Sequence, residues 1–221
     1  MEEQLTPYKS PRQKRSRESL ERLLEAAEEQ IRLHGVEALT ISGVVNSIGL
    51  SVGAFYARFP DKTALLHAVQ DRFHNRLEPR IREQMIAEAG SCATLAEAVD
   101  AAVDVLIRNV VGEREMSRGF MSLSVADPVL RARGELVNRQ RRETLSEILL
   151  AHSDEIGHPD PGLAVSVAYG MYAAVVRGRL MFGLEHELYY DIDSATLYRE
   201  LKRALTLYLR GEQFRESLAT T

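Results

Sequence analysis

The sequence predicts an all-α protein, a small N-terminal helix-turn-helix head followed by a larger C-terminal helical bundle. Three observations carry this. Apolar residues recur at spacings of three and four along nearly the whole chain. No run alternates apolar and polar residues as a half-buried strand would. Ser, Thr or Asp repeatedly opens an apolar segment, and Gly or Pro closes it, which is the punctuation of helix ends.

The first helix is predicted over Ser16–His34. Leu20, Leu23, Leu24, Ala27 and Ile31 make one apolar stripe, and Gly35 stops the helix. Thr40 then caps a short helix in which Ile41, Val44, Val45 and Ile48 share a face. Gly49 ends it, Leu50 is a buried turn residue, and Ser51 caps the next segment. Two short helices separated by so tight a turn form a helix-turn-helix. Over Ser51–Phe59 the spacing sends Val52, Phe55 and Phe59 inward and leaves Gly53, Ala54, Tyr56 and Arg58 outside.

Pro60 halts that helix, Asp61 caps the fourth, and Lys62 lies in its first turn. Leu65, Val69, Phe73 and Leu77 continue one stripe up to Pro79, which is expected to kink or end the helix, with continuation over IREQMIAEA as the alternative. Beyond Gly90 the helices lengthen: Thr94–Val111, a less regular Glu113–Ser124, Pro128–His152 after the cap Asp127, Leu163–Leu184 after the turn cluster GHPDPG, and Ser194–Arg210. The predicted organisation is a basic arm over residues 1–15, a helix-turn-helix domain over 16–62 and a bundle over 63–221. The fourth helix links the last two.

A content of 45% hydrophobic and 27% charged residues is that of an ordinary globular chain. No window approaches the roughly 18 consecutive apolar residues of a membrane span, and the first residues lack an apolar signal core, so a cytoplasmic protein without a membrane partner is expected. The single Cys92 excludes an intrachain disulfide and a Cys-rich zinc site. Residues 1–78 hold 11 Lys and Arg against 11 Asp and Glu, and residues 79–221 hold 17 against 21, so the deficit of four lies wholly in the second part. Five cations and no anion fall within Lys9–Arg17, an arm suited to phosphate or minor-groove contact.

The face of Ser51–Phe59 predicted to point outward starts with small residues and carries no carboxylate. Such a helix end can press close to base edges in the major groove, with a cap hydroxyl and a tyrosine hydroxyl available to phosphates. Thr40, Gly49-Leu50-Ser51, Gly53-Ala54, Phe55-Tyr56, Phe59-Pro60-Asp61-Lys62 and Ala64-Leu65-Leu66 stand at set distances from one another. Together they make the stretch resemble the DNA-binding signature of the TetR family of bacterial transcriptional regulators. The signature covers about a quarter of the chain. Two positions depart from the family pattern: Gly43 where an acidic or bulkier residue is usual, and Val52 where a polar or basic one is common.

The resemblance implies a ligand-responsive repressor that binds a near-palindromic double-stranded operator as a homodimer and is released by a small-molecule effector. It places Thr40, Ser51, Tyr56 and Lys62 at the DNA backbone and Gly53, Ala54 and Arg58 nearer the bases, with Val52 among the DNA-facing set. For the effector the bundle offers Phe120, Met121, Met171, Tyr172 and Arg177. Ser166, Gly170, Ala173 and Ala174 suit close helix approach at a two-fold interface.

No cofactor, metal or catalytic residue is expected. His67, Asp71, His74 and Glu78 share one face of the fourth helix, but one straight helix cannot close a tetrahedral shell. His152, His158 and Glu185-His186-Glu187 fall at loops and helix ends. Ser122 and Ser124 lack a G-x-S-x-G setting, which disfavours a small α-helical hydrolase. A helical adaptor acting through protein contacts alone is the other alternative, and it leaves the basic arm and Tyr56 without a role.

Overall fold

A computed structural model describes residues 14–182 and 192–211. Among these residues there are nine α-helices and no strand: α1 Lys14–His34, α2 Ile41–Ser47, α3 Val52–Tyr56, α4 Lys62–Ala89, α5 Leu95–Gly112, α6 Arg114–Leu123, α7 Pro128–Leu150, α8 Pro161–Phe182 and α9 Ser194–Arg210. Most of the basic arm and the Glu185-His186-Glu187 cluster lie outside the described residues.

Caps explain most boundaries. Thr40, Ser51, Asp61, Asp127, Asp160 and Asp193 each accept a hydrogen bond from a first-turn amide. At α5 the capping is reciprocal: Thr94 Oγ1 accepts from the Glu97 amide, and the Glu97 carboxylate accepts from the Thr94 and Ala93 amides. Gly35, with φ of 81°, turns the chain out of α1.

The chain divides into two compact units. One holds the described residues up to Leu77 together with Glu113–Glu135, and the other holds Glu78–Gly112 with the described residues from Leu136. Both α4 and α7 therefore carry chain from one unit into the other. Three expectations change, and one open alternative closes. Helix α4 continues through Pro79 to Ala89, because its remaining ladder and buried Leu77, Ile81 and Met85 outweigh one missing donor. The segment after Glu113 is a regular helix, with Met116 and Phe120 buried one turn apart. Pro161 occupies the first position of α8, two residues earlier than expected, where its missing N–H costs nothing. Leu50 is half-buried only.

In the first unit the apolar stripes of α1 and α4 are buried as their spacing requires: Leu23, Ala27, Ile31, Leu65 and Val69 are inaccessible to solvent. Gly119 lets α6 press against the end of α1, since a Cβ there would stand 2.9 Å from Val36 Cβ. At the edge of the α1 stripe lies Glu28, whose side chain is 1% exposed. Arg32 Nη2 at 2.8 Å, Arg76 Nη1 at 2.6 Å and Arg72 Nε at 3.1 Å surround its carboxylate. Glu113, just ahead of α6, takes Arg32 at 3.1 Å and Arg76 at 3.4 Å, and Glu21 pairs with Arg72. Burial opposes the charge on Arg32, yet Glu28 and Glu113 outweigh it and raise its pKa. Arg72 is lowered, by burial first and by Arg76 second.

Three members of the helical-face quartet, His67, Asp71 and Glu78, each face a side chain of opposite type on another helix or cap. His67 Nε2 lies 2.7 Å from Asp127, and Arg133 bonds both the His67 carbonyl at 2.6 Å and Asp71 at 2.9 Å. Burial would raise Asp127, but the His67 bond and the Leu130 and Val129 amides hold it below the ordinary range. No group of three or more potential metal ligands comes together among the described residues.

In the second unit Glu78 receives two bonds from Arg141, at 2.7 and 2.6 Å. Lys202 of α9 reaches Asp100 and Asp104 of α5 at 2.8 and 2.7 Å. The α7–α8 turn is tied to the end of α9 through side chains, with Arg210 Nη2 3.4 Å from the Glu155 carboxylate, and through backbone. The Gly157 amide donates to Leu209 O at 3.0 Å, and a Cβ on Gly157 would stand 2.1 Å from Arg210 O. Opposite it, Gly211 has φ of 65°. No described helix is long and apolar enough to cross a membrane.

Removing one partner of a buried charge cluster costs about 3–5 kcal/mol. Glu28→Gln is therefore expected to lower the thermal midpoint by roughly ten degrees in a circular dichroism melt, with helical content unchanged at low temperature.

Candidate nucleic-acid interface

The segment between Glu37 and Asp61 contains no acidic side chain. Helix α2 presents Val44 and Val45 to the interior, and its C-terminal Ile48 carbonyl accepts from Arg22 of α1 at 2.9 Å. The chain then reverses at Gly49, whose φ of 67° suits glycine. The Leu50 amide returns to Val45 O at 2.9 Å, and Ser51 turns the backbone back into helix with its side chain 3.1 Å from the Ala54 amide.

Helix α3 spans five residues, shorter than the nine expected, and closes through a tightened turn. Ala57 bonds to Gly53 O, while Arg58 and Phe59 both bond to Phe55 O. Phe55 and Phe59 are wholly buried with ring centroids 5.5 Å apart, and Tyr56 meets Phe55 edge-on at 5.2 Å. This aromatic pair fixes the rotation of α3 about its axis.

Val52 does not join it. The spacing to Phe55 and Phe59 predicts an inward Val52, but the residue is 46% exposed. In so short a helix the first residue projects past the edge of the small core, so Val52 belongs to the outer surface. Thr40, Ser51, Gly53 and Tyr56 are also exposed, Tyr56 at 54%, and Ala54, Arg58 and Lys62 are half-buried. All eight residues expected at DNA lie in the first unit.

Gly53 has no reason inside the protein to be glycine. Its φ lies outside the left-handed region, and an added Cβ would make only an ordinary contact with Ser51 Oγ at 3.8 Å. A glycine inside a helix costs up to about 1 kcal/mol relative to alanine. The position is exposed.

The residues expected at an effector are divided between the two units. Phe120 is buried in the first unit, 6.0 Å from the Phe73 ring, with Met121 half-buried beside it. Met171, Tyr172 and Arg177 lie on α8 in the second unit. Met171 is 39% exposed and Arg177 is exposed, while Ala164, Ala168, Tyr172 and Val176 of the same helix are buried. Tyr172 is 3% exposed, and its ring lies 5.7 Å from that of Tyr169, whose hydroxyl donates to Asn138 at 3.2 Å. Burial pushes the Tyr172 phenol up, against the nearby positive charge of Arg141. Glu78 enters the sequence reading only as a potential metal ligand, and Asn138, Arg141 and Tyr169 not at all; each is an ordinary polar residue of an amphipathic helix until partners from three helices are known. Arg179 is buried as well, donating to Ile192 O at 3.0 Å.

Residues 23–69 match the family model described as bacterial regulatory proteins, tetR family, and residues 94–209 match the one described as tetracyclin repressor-like, C-terminal domain. Solved structures share the fold. A bacterial regulatory protein in the tetR family from Rhodococcus is 16% identical with a TM-score of 0.62, covering 89% of this chain and 97% of its own. A transcriptional regulator from Cytophaga hutchinsonii is 16% identical with a TM-score of 0.60, covering 90% and 97%. The fatty acid degradation regulator FadR from Bacillus halodurans is 18% identical with a TM-score of 0.58, covering 85% and 97%. No curated protein sequence matches the chain.

Gly53→Ala is expected to raise the stability of the fold by about 0.5–1 kcal/mol in chemical denaturation. The same variant should weaken binding to duplex DNA, measured by fluorescence anisotropy.

Proposed function

The chain belongs to the TetR family of bacterial regulatory proteins, ligand-responsive DNA-binding regulators, and from that premise we propose that it is a repressor working as a homodimer on a near-palindromic operator in the cytoplasm. The observation that carries the DNA contact is the carboxylate-free outer face of α3, where Gly53 is small for no internal reason and Tyr56 stands exposed behind a capped helix start. In this proposal Thr40, Ser51, Tyr56 and Lys62 hold phosphates, while Val52, Gly53 and Ala54 approach base edges. Arg58 follows at the end of the turn, within reach of either. Functionally, residues 16–62 form the DNA-binding domain and 63–221 bind the effector and the second protomer.

The second protomer is assigned to the exposed stripe of α8. Leu163, Ser166, Gly170, Ala174, Arg177 and Met181 follow one another at helical spacing on its outer side, and a Cβ at Gly170 meets nothing within 4 Å in the protomer. Small residues between apolar ones let two helices approach closely around a two-fold axis. Two recognition helices then enter successive major grooves roughly 34–36 Å apart. The effector is proposed to bind beside Tyr172 and to favour a dimer whose heads no longer match that spacing, a shift of population rather than a new contact with DNA.

Selection from a random duplex pool with the full chain is expected to return an inverted repeat. On that duplex Tyr56→Ala should lower affinity more than tenfold, on the order of 1.4 kcal/mol, with an unchanged thermal midpoint; wild-type affinity in this variant would refute the assigned surface. Gly170→Glu should yield a folded monomer by light scattering, with operator binding lost at concentrations where the wild type saturates.

A further inference from the structure

Gly43 poses the opposite case to Gly53. It is the third residue of α2, and its amide donates to Thr40 Oγ1 at 3.1 Å, the bond that starts the helix. Glycine is a poor helix residue, and nothing in the backbone demands it, since the described glycines with positive φ are Gly35, Gly49 and Gly211. Space demands it. A Cβ at this position would stand 2.8 Å from Thr40 Oγ1, 2.9 Å from Gln30 Nε2 and 3.1 Å from Gln30 Oε1. The side-chain amide of Gln30, reaching over from α1, thus lies on the first turn of α2 in the volume that any other residue at 43 would fill.

We propose that Gln30 and Gly43 are a matched pair that positions the Thr40 hydroxyl, so that Gln30 is a positioning residue for DNA binding although it lies outside the helix-turn-helix. The inference rests on the proposed contact of Thr40 with the operator. The Thr40 hydroxyl has two tasks in that reading: it accepts from the Gly43 amide and offers its own proton outward, where the residue is exposed. It can do both only in the rotamer it holds, with the Gln30 amide on one side and the bare α-carbon of Gly43 on the other. A methyl group at 43 evicts one of the two. If the hydroxyl turns away, the cap and the outward donor are lost together. If Gln30 leaves, the hydroxyl keeps its cap but loses the amide packed beside it, and its outward direction is no longer held.

The test is a double-mutant cycle in the full chain, comparing wild type, Gly43→Ala, Gln30→Ala and the double variant on the duplex selected by the wild type. Affinity and its salt dependence are read well below the melting temperature. Gly43→Ala is expected to lose about tenfold in affinity with an unchanged salt slope, because no charge is removed. The double variant should return to within about twofold of Gln30→Ala, because the emptied seat accepts the methyl group. Should Gly43→Ala fold poorly, the double variant against Gln30→Ala alone carries the same comparison. Equal losses from Gly43→Ala in both backgrounds, or wild-type affinity for the single Gly43→Ala variant, would overturn the pairing. Tyr56→Ala is measured alongside: if it weakens binding while Gly43→Ala does not, the pairing falls and the DNA-binding surface stands. If neither variant weakens binding, both fall.

Discussion

Much of the first unit depends on where one carboxylate is buried. Glu28 is out of water at the edge of the α1 stripe, and a lone carboxylate there would be far too costly to keep ionised. It stays because Arg32, Arg72 and Arg76 converge on it from α1 and α4. Apolar packing of the buried α1 and α4 stripes sets how the helices meet, and the ion pairs act on top of it. Ion pairs of this kind are directional, and they permit one register. Glu113 extends the same constraint to the start of α6 through Arg32 and Arg76. The helix-turn-helix is built on that frame: Arg22 of α1 holds the end of α2, and Phe55 and Phe59 set the rotation of α3.

On this scaffold the two glycines of the head separate cleanly. Both weaken short helices that have little stability to spare. At Gly43 the protein itself occupies the space where a side chain would go; at Gly53 it leaves that space open. The first serves internal positioning and the second keeps a surface low. By sequence the two are alike, and only the surroundings of the missing Cβ tell them apart.

Features set by neighbours in the chain are legible from sequence. Thr40, Ser51, Asp61 and Asp127 read as caps because the donors they satisfy lie two or three residues away. The stripes of α1 and α4 follow from spacing alone. What escapes the sequence depends on length or on distant partners. Periodicity places Val52 inward, which assumes a helix long enough for its first residue to overlie the core. Pro79 reads as a kink or an end with continuation left open, and only the buried residues after it show that the helix runs onward. Glu28 bears a faint signal, lying one residue after Ala27 on the stripe edge with Arg32 four residues on. Nothing local announces Arg72 and Arg76 as its partners. Tyr172 stands out by residue type, but its neighbours Glu78, Asn138 and Arg141 come from helices far apart in sequence.

The crossing of Gly157 and Gly211 shows how such constraints bear on the history of the chain. Their backbones meet so closely that a single added carbon is blocked at the first and crowded at the second, which also needs a left-handed turn. A substitution at Gly157 requires the facing backbone to move, and one at Gly211 is both crowded and strained. Related sequences should therefore change the two together, by shifting the loop or shortening the last helix, or not at all. Two positions widely separated along the gene are bound to a common fate by an interatomic gap.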